Sequence, residues 1–279
     1  MHDIDPPIPA VAVHPVRSPT IPPATHTNSW LLGDGELLVV DPASPWEEEQ
    51  QSLFDAVQRR LADGQRLRGL FLTHHHHDHV SGAADLRDRL RAVGHDAPVI
   101  AHTVTADLVA LPVDEFLGEG DVLTVGTSIY DVLHTPGHAP GHLCLHDRAT
   151  GALLAGDMVA GVGTIAIDPD EGDLGDYLHH LERLRGRRPT SLLPAHGPVL
   201  RQPDAVLSMY IAHRHGRTEQ IRARIEQGAA TPLEVATHVY DTLDPRYLPL
   251  AARQVLTHLK WLREQGHAQV DGELWRLVG

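Results

Sequence analysis

The sequence predicts an α/β fold followed by a small helical module. Three observations carry that prediction. Up to about residue 200, short apolar strands alternate with amphipathic helical stretches. Histidine-rich segments stand where the strands end, the places where a rigid scaffold presents chemistry. From about Pro203 the pattern turns helical and closes on a hairpin.

In chain order, Trp30–Leu32 and Leu37–Val40 flank Asp34-Gly35 and read as a hairpin. Ser44-Pro45-Trp46-Glu47 reads as a capping box with proline at the first helical position. Leu53, Val57 and Leu61 then give a helical stripe that stops at Gly64. Gly69–Thr73 is a short buried-strand candidate running into His74, and Leu86, Leu90 and Val93 mark a second helix ending at Gly94. Pro98–Ala101, Val122–Val125, Ile129–His134, His142–His146 and Ala152–Ala155 read as strands between turn residues. Leu174, Tyr177, Leu178, Leu181 and Leu184 form a helical stripe, and Ser191–Leu193 is the last core strand.

Three segments are expected. Residues 1–25 form a proline-rich arm, either extended over a surface or disordered. Residues 26–202 form the α/β domain that carries the histidine-rich segments, and 203–279 a helical domain. In the last, Thr231-Pro232-Leu233-Glu234 is a capping box, Val255, Leu259 and Leu262 mark a helix, and Asp271-Gly272 a hairpin. Helix, helix and hairpin together suggest a winged-helix-like module.

Composition excludes several functions. No apolar run reaches the roughly 18 residues of a membrane span. The N-terminus lacks the apolar stretch of a signal peptide. The single cysteine, Cys144, rules out an intramolecular disulfide and fits a cytoplasmic location. The formal net charge of −14 disfavours nonspecific binding to nucleic acid or an anionic membrane. Residues 218–279 carry seven Lys/Arg against eight Asp/Glu, so the module lacks a DNA-binding footprint. Packing or homodimer formation is its expected role.

The strongest signal is Thr73-His74-His75-His76-His77-Asp78-His79. Imidazole nitrogens and carboxylate oxygens are common zinc ligands. In a loop leaving a strand, His74 and His76 can converge on one ion. Asp78 and His79, where the chain turns into a helix, can face a second. An expression-tag scar would sit at a terminus and lack the embedded aspartate. His75 and His77 occupy the intervening positions and are expected to face solvent or to support the ligands. The other ligands must come from elsewhere. His138 lies between Pro-Gly turns in His134-Thr135-Pro136-Gly137-His138-Ala139-Pro140-Gly141-His142, Asp157 ends Ala155-Gly156-Asp157, and His196 ends Pro194-Ala195-His196. Each is a weak signal alone. Together they supply what the cluster lacks.

The series THHHHDH, HTPGHAPGH, AGD and PAHG, in this order, resembles the metallo-β-lactamase superfamily over about residues 26–200. The resemblance implies an αββα sandwich with metals at one edge of two sheets. It assigns His74, His76 and His138 to one ion and Asp78, His79 and His196 to the other, with Asp157 bridging them. Asp41, after Leu37–Val40, matches an aspartate that supports the site. His142 is not assigned as a ligand. Two ions sharing a bridging water would supply hydroxide near neutral pH, with Asp78 as the catalytic residue orienting it. Zinc suits the ligands, and iron or manganese also fits.

The bridging aspartate ranks β-lactam hydrolysis low, because true β-lactamases of this fold generally lack it. The tail, including His213-Arg214-His215-Gly216-Arg217, resembles the β-lactamase-like-protein-2 group. That group includes an endoribonuclease and is related to fungal polyketide thioesterases. The implied function is hydrolysis of a small ester, thioester or lactone. Single-stranded RNA cleavage is the alternative, disfavoured by the acidic balance. A catalytically idle metal-binding module ranks lower. Tyr177, His213, Arg214 and Arg217 are candidates to wall the substrate cleft, against a reading as ordinary helix surface.

Overall fold

The computed structural model describes residues 7–278. Contacts divide the chain into two compact units. The first holds the chain up to Thr135 together with Pro140–Ile165 and Arg187–Asp204. The second holds Pro136–Ala139, Ala166–Gly186 and Ala205 onward.

The first unit contains two sheets. One has six strands in the spatial order β1 (Val11–Arg17), β2 (His26–Leu32), β3 (Glu36–Val40), β4 (Arg66–Phe71), β5 (Val99–Ala101) and β6 (Glu115–Phe116). Pairing is antiparallel from β1 to β3 and parallel from β3 to β6. Helices α1 (Glu47–Ala62), α2 (His77–Val80), α3 (Ala83–Ala92) and α4 (Thr103–Leu108) connect these strands. The other sheet is formed by β7 (Val122–Val125), β8 (Ser128–His134), β9 (Leu143–Asp147), β10 (Ala152–Gly156) and β11 (Ser191–Pro194). They lie side by side in reverse chain order. Only β10 and β11 run parallel in that sheet.

Strand periodicity decides which side chains meet. Successive residues point to opposite faces of a sheet. Leu38 and Val40 therefore join Trp30, Phe71 and Ile100 against Val132, Leu145, Leu154 and Leu193 of the other sheet. Leu37 and Val39 point the other way, onto Leu53, Val57 and Leu61 of α1 and Leu86 and Leu90 of α3. β3 is thus apolar on both faces, as a central strand covered on each side must be. Each such Leu or Val contributes about 1.5–3 kcal/mol by its burial.

The second unit contains α5 (Leu174–Gly186), α6 (Pro203–Glu226, from Ala205 on), α7 (Pro232–Val239), α8 (Leu248–Glu264) and the hairpin β12 (Ala268–Asp271) and β13 (Leu274–Leu277). Ile221, Ile225, Val235, Val255, Leu259, Leu262 and Trp275 form its core. The Thr231 capping box is present in both directions, between Thr231 and Glu234. Ala230 and Trp275 exchange two backbone hydrogen bonds, of 3.0 and 2.9 Å, which join the start of α7 to the hairpin. Among the described residues, no helix is long and apolar enough to cross a membrane.

Three expectations need correction. The arm is neither loose nor merely laid on a surface, because Val11–Arg17 is an edge strand in full register with β2. Proline is tolerated on an edge, where its missing N–H faces outward; Pro15 stands opposite Asn28, whose own amide points away to Ala195 O at 2.7 Å. Residues 1–6 of the proposed arm lie outside the described residues. The Ser44 capping box does not form. Trp46 is extended and caps α1 without a side chain, and Ser44 Oγ accepts only from Trp46 N, at 3.3 Å. Glu47, Glu48 and Glu49 stand in the first turn instead, where the helix dipole favours them. Val93 is exposed just after α3. Helix α6 starts at Pro203, while residues 136–139 and 166–186 group with the second unit, in which the turn at Gly137 packs on the start of α5.

Candidate metal centre

The site is built at strand ends. β3 and β4 are parallel neighbours, so Asp41 and the Thr73-His74 segment emerge side by side from their C-terminal ends. β10 and β11 are parallel neighbours too, which places Asp157 and His196 together. Carboxyl ends of parallel strands are where α/β sheets bind ligands. Several hydrogen bonds tie the two edges together, among them three through β2 and the Thr73 segment. Leu143 N donates to Thr73 O at 2.9 Å, Asn28 N to Ala195 O at 2.7 Å, and Asn28 Nδ2 to Pro194 O at 3.0 Å.

Hydrogen bonds select the ring nitrogen that each histidine turns inward. Asp41 is fully buried and left-handed (φ 47°), a conformation that aspartate tolerates better than most residues. Its Oδ1 accepts from Thr73 N at 2.8 Å, and its Oδ2 accepts from Thr73 Oγ1 at 2.7 Å and from His79 Nδ1 at 2.9 Å. His79 therefore carries its proton on Nδ1. Its Nε2 is buried with no hydrogen-bond partner. Thr73 Oγ1 has spent its hydrogen on Asp41, so it accepts from His74 Nδ1 at 3.0 Å. His196 Nδ1 donates to His26 O at 3.0 Å. In the second unit, buried His138 donates from Nδ1 to Ala166 O at 2.7 Å. Four histidines thus keep Nε2 as the lone-pair nitrogen, oriented in the way outer partners orient metal-bound histidines.

The spacings suit coordination. His74 Nε2 and His76 Nδ1 stand 3.0 Å apart. His79 Nε2 lies 3.6 Å from Asp157 Oδ2 and 3.9 Å from Asp78 Oδ1. His196 Nε2 lies 3.5 Å from both Asp157 Oδ1 and Asp78 Oδ2. Ligands at about 2.0–2.2 Å around a tetrahedral ion are roughly 3.3–3.6 Å apart. His74, His79 and Asp157 form one group whose donor atoms all lie within 4.8 Å of one another, and Asp78, His79 and His196 form another. His79 belongs to both.

The electrostatics draw positive charge inward. Burial would lower the pKa of His79, but the carboxylates of Asp157, Asp78 and Asp41 outweigh it and raise the value well above the usual range. Burial likewise opposes a proton on His196, and Asp157 reverses the balance. Burial pushes the Asp157 carboxyl up, while His196 and His79 pull it well below the usual carboxylate range. Protons and divalent cations compete for such a site, so metal affinity must rise with pH.

The cleft residues fare differently. Tyr177 is completely buried and Arg214 nearly so, its guanidinium 5.4 Å from the Tyr177 ring centre. Neither presents a surface to a substrate in this structure, so for these two the cleft reading is corrected to interior packing. Arg217 is half-buried, stacked 4.1 Å over Tyr240 and donating to Val239 O at 3.1 Å. His213 is exposed. Of the intervening histidines, His75 is half-buried and His77 exposed. Sequence reasoning missed Thr73, which serves Asp41 and His74 at once, and Thr27, whose hydroxyl donates to Asp78 O at 2.8 Å. It also left His142 without a role. Threonine is too common at strand ends to signal such a duty.

Residues 22–196 match the Metallo-beta-lactamase superfamily, and residues 231–275 match the Beta-lactamase associated winged helix domain. A Beta-lactamase-like protein 2 homolog of Drosophila melanogaster is 30% identical over 259 residues, covering 88% of this chain and 85% of the relative. A protein of Paecilomyces divaricatus named atrochrysone carboxyl ACP thioesterase is 29% identical, covering 86% of this chain and 76% of its own length. A solved Beta-lactamase domain protein from Burkholderia ambifaria superposes with a TM-score of 0.85 at 22% identity, covering 97% of this chain and 92% of that one. With its α/β sandwich, its winged-helix end and a match over well more than half its length, the chain belongs to the metallo-beta-lactamase superfamily.

Proposed function

We propose that the protein is a two-metal hydrolase of a small ester, thioester or lactone. The observation that carries this reading is buried Asp157, whose carboxylate groups with His74 and His79 and presents one oxygen 3.6 Å from His79 Nε2 and the other 3.5 Å from His196 Nε2. A carboxylate so placed can serve two cations at once. His74, His76 and His138 would hold one ion, and Asp78, His79 and His196 the other. When bound, such ions supply a water acidic enough to ionise near neutral pH, and positive charge for a developing oxyanion. Histidine and carboxylate donors suit zinc, with iron and manganese as alternatives.

The chain's own residues do the rest. Asp41 and Thr73 lock the ring orientations and so exclude rearrangement of the ligands. Asp78 is the most exposed of the site carboxylates, at 17% of its side chain, and so the one that an incoming substrate meets. It orients the attacking water and accepts its proton. The water oxygen bonds to the carbonyl carbon, the carbon–sulfur or carbon–oxygen ester bond breaks, and the proton held by Asp78 passes to the departing thiolate or alkoxide. The acidic composition, 37 Asp/Glu against 23 Lys/Arg, disfavours RNA, whose affinity rests on cationic contacts to phosphates. The same balance argues against DNA as a partner of the winged helix. The relative named as a thioesterase supports an acyl substrate.

The test is a panel of thioester, lactone, simple ester and single-stranded oligoribonucleotide, each assayed with zinc, manganese and iron. Acyl turnover that disappears on chelation and in Asp78→Ala is expected, with little response to salt. Metal-dependent cleavage of the oligoribonucleotide alone, falling steeply as salt rises, would replace this reading with a nuclease.

A further inference from the structure

His142 and the single cysteine lie in one buried chain of hydrogen bonds. Thr135, His142 and Cys144 are all at 0% exposure. The backbone N–H of Asp157 points at His142 Nε2, 3.0 Å away. An amide only donates, so Nε2 accepts and the imidazole carries its proton on Nδ1. Nδ1 stands 2.8 Å from Thr135 Oγ1, which accepts. The Thr135 hydroxyl also lies 3.3 Å from Cys144 Sγ and 3.5 Å from His142 O, and Cys144 Sγ donates to Ala155 O at 3.6 Å. The chain begins on the amide of Asp157 and ends on the carbonyl two residues before it. Both peptide groups flanking Gly156 are gripped.

Gly156 fits this arrangement. Its φ is +49°, and a Cβ there would sit 2.5 Å from His142 Nε2 and 3.0 Å from Cε1. Any side chain would push the imidazole away. The ring itself is held by its backbone, since Thr135 N donates to His142 O at 2.9 Å and Leu143 N to Thr73 O at 2.9 Å.

We infer that His142 is a positioning residue whose neutral imidazole, held in the Nδ1–H form, fixes the backbone of Asp157 and so aims its carboxylate. Only the consequence for metal binding rests on the two-metal reading. The fixation of the backbone does not. His142 belongs to none of the candidate metal-holding groups. Cys144 acts as an internal link between the Thr135 hydroxyl and the carbonyl of Ala155.

Three measurements on the full chain decide this. Long-range 1H–15N spectra of the metal-free protein should show His142 neutral with Nδ1 protonated. An Nε2-protonated ring overturns the inference. The Asp157 amide should exchange with deuterium about 10-fold or more faster in His142→Leu, and remain protected in His142→Gln, whose Oε1 can replace Nε2 as acceptor. If His142→Leu does not fold, Thr135→Val removes the acceptor of Nδ1–H and should give mixed tautomers and faster exchange. Unchanged exchange in whichever of these variants folds also overturns the inference. In cobalt titrations, His142→Leu should bind about 10–100-fold more weakly and with an altered visible spectrum, as losses of outer partners do, while His142→Gln stays near wild type. A wild-type protein that binds no metal would refute the two-metal reading, and the tautomer and exchange results would still decide the role of His142.

Discussion

Replacing Asp41 by asparagine changes one atom and turns an acceptor into a donor. The carboxylate accepts from three donors: Thr73 N, Thr73 Oγ1 and His79 Nδ1. An amide that keeps its oxygen toward Thr73 N turns its NH2 toward two groups that also donate. Turning the amide over moves the conflict to Thr73 N. His79 can escape only by shifting its proton to Nε2, which removes the lone pair a metal needs. Hydrogen bonds to a charged group contribute about 1.5–3 kcal/mol each, so losing one or two should cost roughly 1.5–6 kcal/mol of stability. Metal affinity should fall about 10–100-fold, a range of about 1.4–2.8 kcal/mol. Urea denaturation of the metal-free protein reads the first quantity and chelator competition reads the second. Asp41→Asn that binds two ions with wild-type affinity would refute the assignment of the His79 tautomer.

Three further outcomes are expected. Asp157→Ala should lower the metal content below the roughly two ions of the wild type and weaken both, whereas His138→Ala should weaken one, as elemental analysis after dialysis would show. Gly137→Ala should destabilise by roughly 2–5 kcal/mol, read as a lower Tm. Its Cβ would lie 2.4–2.7 Å from Tyr177 backbone and Cβ atoms, at a φ of +127°. His258 should make the fold acid-sensitive. Its pKa is held well below 6.5 by burial first, then by Arg214 and Arg217. A depressed histidine favours folding above the unfolded value near 6.5, and that contribution is lost as the pH falls further, by up to about 1.4 kcal/mol per pH unit. The extra slope should vanish in His258→Asn, which keeps a donor for Thr218 Oγ1, measured by urea denaturation of both proteins between pH 7 and 5.

The candidate ligands His74, Asp157 and His196 were legible because each follows a strand with a strong apolar pattern. His74 follows GLFLT, Asp157 follows ALLAG and His196 follows SLLPA. Asp41 was legible only through the resemblance to the family. Its duties are to Thr73 and His79, 32 and 38 residues away, which no local pattern records. The role of His142 was hidden for a similar reason, since it depends on which ring nitrogen faces an amide 15 residues on. Tyr177 looked like a cleft residue because a polar tip on an apolar stripe invites that reading, yet the stripe Leu174, Tyr177, Leu178, Leu181 and Leu184 is buried as a whole. Ser44 failed as a cap because the chain stays extended through Trp46, so the helix starts too late for its hydroxyl to reach the first turn. β1 escaped notice because prolines masked a short strand on an edge that tolerates them.

Pro15 on that edge has a consequence for how the molecule behaves in a crowd. An outer strand offers a row of unused amides and carbonyls, an invitation for another chain to add itself and begin a fibre. In β1 the row is broken near its middle, where Pro15 has no hydrogen to offer and its ring crowds any arriving strand. At the opposite border of the same sheet, β6 is only two residues long, too short to seed growth. Both borders of the six-stranded sheet are therefore poor templates for the addition of another strand.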